Sequence, residues 1–153
     1  MKEAFWWFAY TVFGVWLQKF FPGVDFLAPG LIVCLQLAKF RAALLLGLAW
    51  TLIQEGMGSL AFGGSILWYA GLCLVFFQTR AYLATESPFF VLILSVFAAV
   101  WHFAIISLLS SLQGLSMDAQ QLFYESLQTA VFFPMLWVVI FLIYSRKVAF
   151  RHG

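Results

Sequence analysis

The stretch AALLLGLAWTLIQEGMGSLAFGGSILWYAGLCLVFFQT, residues 42–79, lies between Arg41 and Arg80 and carries one charge, Glu55. As a continuous helix its 38 residues would reach about 57 Å. That is nearly twice the roughly 30 Å apolar thickness of a bilayer. The stretch must therefore fold back on itself, and the glycines between Gly56 and Gly64 mark the place.

The rest of the chain points to the same solvent. Of 153 residues, 65% are apolar and 20% aromatic, while only 9% are charged, against roughly 25% in a soluble domain. A domain of this size leaves about a third of its surface wet, so 19 Phe and 7 Trp have no room in one water-soluble core. The expectation is an all-α, polytopic integral membrane protein forming one domain over 1–153. The remaining uncharged runs are 4–18, 26–38, 87–117 and 126–145. With about 20 residues needed per crossing, they place six transmembrane helices near 5–20, 25–40, 42–57, 65–79, 89–112 and 127–144. The second is the weakest, because Pro29-Gly30 interrupts its first turns. A broken helix of that kind is tolerated only when its neighbours shelter it. Asp25, just after the Pro22-Gly23 break, can cap it. The longest polar connection is QGLSMDAQQLFYE, 113–125, in which Ser116 can cap a short surface helix.

Orientation follows from basic residues in short loops. Six spans with a cytoplasmic N-terminus put Lys2, Lys39, Arg41, Arg80, Arg146, Lys147 and Arg151 inside and only Lys19 outside. Both termini are then cytoplasmic, and the outer side carries Asp25, Asp118 and Glu125. Eight scattered basic residues make no phosphate-tracking stripe, so nucleic acid is not an expected partner. No small-residue cleavage site follows the first apolar run, so no signal peptide is expected. Cys34 and Cys73 lack metal-ligand spacing and read as small buried hydrophobes.

Glu55 is the most unusual residue, because an unpaired carboxylate in hydrocarbon costs several kcal/mol. Gly47, Thr51, Glu55, Ser59 and Gly63 recur every four residues. On a continuing helix they form a narrow strip of small and polar groups suited to close packing. With Gln54 and Gly58 they make a candidate packing or partner-contact strip. Three roles stay open for Glu55: a packing or capping carboxylate, a partner or ligand contact, and ion or proton coupling. His102 shares a helix face with Ser95, Ala98 and Ala99. It is expected to hydrogen-bond a neighbouring helix as an intramembrane polar contact. His152 lies in the basic tail, so no metal site is expected. Neither a phosphate loop nor a nucleophile–base–acid set is legible, so no catalytic residue and no cofactor are expected.

The segment GLAWTLIQEGMGSLAFG, Gly47 to Gly63, resembles the rod-shape-determining MreD family, small bacterial inner-membrane proteins of the cell-wall elongation machinery. Glu55 stands at the family's acidic position, where Asp is usual, and Gly63 at its last glycine. Gly47 matches the earlier helix glycine, while Ser59 replaces a commoner glycine beside Gly58. The break PGVDFL, Pro22 to Leu27, is similar to the proline–aspartate start of the family's second segment. The resemblance implies a non-enzymatic scaffold in the bacterial inner membrane that binds the bitopic protein MreC. Through it the protein would connect the actin-like MreB filament with RodA and penicillin-binding protein 2. It also implies a six-helix plan related to the substrate-binding subunits of energy-coupling vitamin transporters. The alternative function is therefore a small-solute-binding subunit of a transporter, in which Glu55, Gln54, Thr51 and His102 converge on one outer cavity.

Overall fold

The computed structural model describes residues 2–57 and 63–149, with side chains for 3–57 and 63–146. Among the described residues the chain is all helical. The helices are α1 (Lys2–Gln18), α2 (Ala28–Gln36), α3 (Phe40–Gly56), α4 (Gly64–Thr79), α5 (Pro88–Leu112) and α6 (Ala119–Ala149). Two segments, Pro88–Leu112 and Ala119–Arg146, are long and apolar enough to cross a membrane.

The helix ends follow local chemistry. Ser87 caps α5 by accepting a hydrogen bond from the Phe90 N–H at 3.1 Å, and Pro88 occupies the first turn, where its missing N–H costs nothing. Asp118 Oδ1 accepts from the Gln120 N–H at 3.0 Å, so α6 begins at Ala119. Most of the polar connection 113–125 is therefore helix, because a capped run of good helix formers stays helical beyond its apolar core. Ser116 is not the cap. Pro134 lies inside α6 without ending it.

α2 is shorter than the 25–40 segment suggested. At its C-terminus the Lys39 N–H bonds to the Cys34 carbonyl at 3.2 Å and the Ala38 N–H to the Leu35 carbonyl at 3.0 Å. This is the two-bond left-handed stop usually built on glycine, here with Ala38 at φ 55. Every residue from Ala28 to Leu35 is buried, and α2 packs against α3, α4 and α6. The Pro29-Gly30 pair is thus enclosed by protein. Gly30 is required by close approach: a Cβ there would overlap the Tyr10 ring of α1. The Tyr10 hydroxyl donates to the Phe26 carbonyl, which ties α1 to the start of α2. Trp50 of α3 is fully buried, packs against Trp7 and Tyr10, and donates to Thr11 Oγ1 at 2.8 Å.

Contacts between helix ends show that successive helices run in opposite directions. Glu3, Lys39 and Tyr144 meet at one end, where Lys39 Nζ lies 2.8 Å from Glu3 Oε1 and also bonds the Tyr144 hydroxyl. Arg80 stacks over Phe40 and Phe77 at the same end. Gln36 closes it further, donating to the Thr85 carbonyl and accepting from Trp137 Nε1 at 2.7 Å. Gln18, Asp25, Gln54, Glu55 and Trp68 gather at the opposite end. Around the sides, Phe5, Phe8, Phe13 and Trp16 of α1 and Leu44, Leu45, Leu48 and Leu52 of α3 are exposed.

Candidate functional site

Asp25 is the centre of the second end. Pro22 and the left-handed Gly23 (φ 87) turn the chain out of α1, and the chain re-enters the bundle with the carboxylate facing inward. Oδ1 accepts from the Leu27 N–H at 2.8 Å and from the side-chain amides of Gln18 and Gln54, each at 3.2 Å. Oδ2 accepts from Trp68 Nε1 at 2.8 Å. One carboxylate therefore joins α1, α3 and α4 to the start of α2. Asp25 is not the cap of α2: Leu27 holds that position without a side-chain cap bond, and Asp25 instead ties down the turn before it through the Leu27 N–H. Asp25 stands in the connection, outside the helices, and burial pushes its carboxyl above its ordinary value while the Leu27 and Trp68 hydrogen bonds pull it down.

Beside this hub lies a cavity of about 520 Å³, within the range of small-molecule sites. Its polar lining includes Gln18, Asp25, Gln54, Ser65, Trp68 and His102, with Lys19, Ser110, Gln113 and Glu125 also contributing. Its apolar lining comes mainly from Val15, Val24, Ile105, Ile106 and Leu109. His102 of α5 is 8% exposed. Its Nδ1 pairs with Ser126 Oγ of α6 at 3.2 Å, and its ring meets Trp68 edge to face at 5.8 Å. Ser126 is not among the residues lining the cavity. Ser65 Oγ and Gln18 Oε1 are buried and have no hydrogen-bond partner. The Tyr69 hydroxyl is buried beside Asp25 and Gln54 but makes a well-formed hydrogen bond to neither. Among the described residues, no three His, Cys, Asp or Glu side chains cluster closely enough to hold a metal.

The residues of the four-residue strip go to different places. Gly47 lies in ordinary contact with α2, a Cβ there standing 3.7 Å from Leu31 Cδ1. Thr51 donates to the Gly47 carbonyl of its own helix at 2.7 Å. Gln54 joins the Asp25 hub. Glu55 points to the next helix, where its carboxylate accepts from the Gly63 N–H and from the Ser65 N–H, all at 3.1 Å. It thereby caps α4, whose first free N–H groups need an acceptor and favour a negative charge. Gly63 has φ 89, a conformation that glycine adopts without steric cost. Because α3 ends at Gly56, Gly63 belongs to the following turn and not to a strip continuing along α3. Gly58 and Ser59 lie outside the described residues.

Sequence reasoning did not bring Gln18, Asp25, Ser65 and Trp68 together. The available signal was Asp25, an acid flanked by uncharged sequence just after Pro22-Gly23. Comparisons with protein-family models, curated proteins and solved structures returned no match to this chain.

Proposed function

We propose that this chain crosses the bacterial inner membrane six times, with both termini in the cytoplasm, and acts as a non-enzymatic scaffold of the cell-shape and peptidoglycan elongation machinery. The membrane reading is supported by two long apolar helices and by the aromatic and leucine side chains exposed along α1 and α3. Apolar surface on that scale calls for an apolar surrounding. The orientation is supported by Lys39, Arg41, Arg80 and Arg146 lying toward one end, while Asp25, Glu55, Asp118 and Glu125 lie toward the other.

The observation that carries the family reading is the bond between Glu55 and Gly63. These are the acidic and last-glycine positions of the MreD-like segment. The spacing has a physical reason: the carboxylate reaches across the reversal and caps the helix that the glycine starts. The ends of α3 and α4, joined by this bond, would offer a surface to an MreC-like bitopic partner and, through it, to RodA and penicillin-binding protein 2. Gentle-detergent affinity purification with mass spectrometry tests the proposal, and elongation-machinery proteins are the expected co-purifying set. Topology reporters fused after Gly64 and after Gln113 should both read external. A cytoplasmic signal at either site would overturn the architecture.

A second reading, a small-solute-binding membrane subunit of a transporter, is favoured by one observation. Gln54 and His102 line a common cavity, although Thr51 and Glu55 do not. Recovery of an ATPase-coupled transport module would select this reading over the first.

A further inference from the structure

We propose that the cavity beside Asp25 binds a small amphipathic organic cation, a molecule with an apolar body and one protonated amine. The inference rests on the cavity being a ligand site, as in the second reading, and names the chemistry it selects.

The argument begins with charge. Asp25 is bonded by a backbone N–H, two amides and an indole, all of them neutral donors. Among the described residues the one ion pair is Lys39 with Glu3, at the other end. Among these residues no cationic side chain pairs with Asp25, and in a low-dielectric site a cation is the best complement of a carboxylate. Glu125 adds a second negative group to the lining, while the cation of the lining, Lys19, is exposed. An anionic ligand would face both carboxylates.

Hydrogen-bonding capacity selects the same head group. Gln18 Oε1 and Ser65 Oγ are buried and unpartnered, and Ser65 is 1% exposed. A carbonyl oxygen only accepts, and a hydroxyl accepts as readily as it donates. With Asp25 Oδ2 these atoms suit an ammonium, which carries donors and no acceptor. Val15, Ile105, Ile106 and Leu109 are left to enclose an apolar body.

The test uses the full chain in nanodiscs, with empty nanodiscs as reference, and three isosteric probes: 3-phenylpropylamine, 3-phenylpropanol and 3-phenylpropionate. Calorimetric titration should show the amine binding about tenfold or more tighter than the alcohol, with the carboxylate weakest. Asp25→Asn should bring the amine down to the level of the alcohol. Because that variant disturbs a structural hub, Ile106→Trp provides an independent check. It fills the cavity and should abolish amine binding, whereas Val100→Trp on an exposed face should not. Equal binding of amine and alcohol to the unmodified protein overturns the inference but keeps the cavity as a solute site, and so does an amine preference that survives Asp25→Asn. Amine binding that survives Ile106→Trp places the amine outside the cavity and overturns the inference. Binding of none of the probes overturns both this inference and the transport-subunit reading, while the scaffold reading is decided separately by the co-purifying proteins.

Discussion

The two ends of the bundle hold their charges in opposite ways. At the Glu3–Lys39 end a carboxylate meets an ammonium at 2.8 Å, both partly exposed, and Gln36, Trp137 and Tyr144 close the packing around them. At the Asp25 end a part-buried carboxylate is held by neutral donors from three helices, and the packing opens into a cavity. A charge paired at the surface is self-sufficient and contributes little. A charge wrapped in neutral donors organises its surroundings and leaves a field that can act on something else. This contrast separates the end where the packing closes from the end where it leaves a cavity.

The sharpest way to break the comparison is to remove each carboxylate. Asp25→Leu strips the acceptor from Gln18, Leu27, Gln54 and Trp68 at once, and should cost about 3–5 kcal/mol in detergent unfolding, since each stranded donor carries a penalty of about 1–3 kcal/mol. Glu3→Leu should cost under about 1 kcal/mol. Equal losses at the two ends would erase the distinction. Within the Asp25 end, Glu55→Leu should cost about 1–2 kcal/mol by uncapping α4, and Glu55→Gln roughly half of that, because an amide oxygen still accepts. Equal loss for both would show that the charge, more than the hydrogen bond, holds the turn.

Smaller effects sharpen the other end. Ala38→Gly should raise stability by about 1 kcal/mol, because Ala38 sits at φ 55 in the stop of α2 and a Cβ is disfavoured there. Thermal unfolding would show it as a higher midpoint. Lys39→Ala should cost about 0.2–1 kcal/mol, and the difference from the unmodified protein should shrink as salt is added. A loss that ignores salt would mean that the packing of Lys39 on the Tyr144 ring outweighs its charge.

Which parts were legible in sequence depends on the range of the interaction. The α5 segment could be read because an apolar run bounded by Ser87-Pro88 and by Gln113-Gly114 carries its own start and stop. α2 was harder, since its burial on all sides depends on neighbours that its nine residues do not encode. The strip from Gly47 to Gly63 required one continuous helix, whereas the glycines after Glu55 offered an end to it. Its four-residue period lost meaning at Gly56, where α3 ends and Glu55 turns to serve the next helix.

Sequence by itself determined the all-helical class, the six helices and the reversal in the glycine-rich middle. Those follow from the lengths of apolar runs between charges, which are local quantities. Only the tertiary structure decided that Asp25 would meet Gln18, Gln54 and Trp68, at separations of 7, 29 and 43 residues, and that Ser65 and His102 would share the cavity beside them. The physical reason is that such meetings depend on how far each helix is rotated about its axis and how closely it packs. Those are set by the fit of many side chains together, and no single stretch of the chain specifies them.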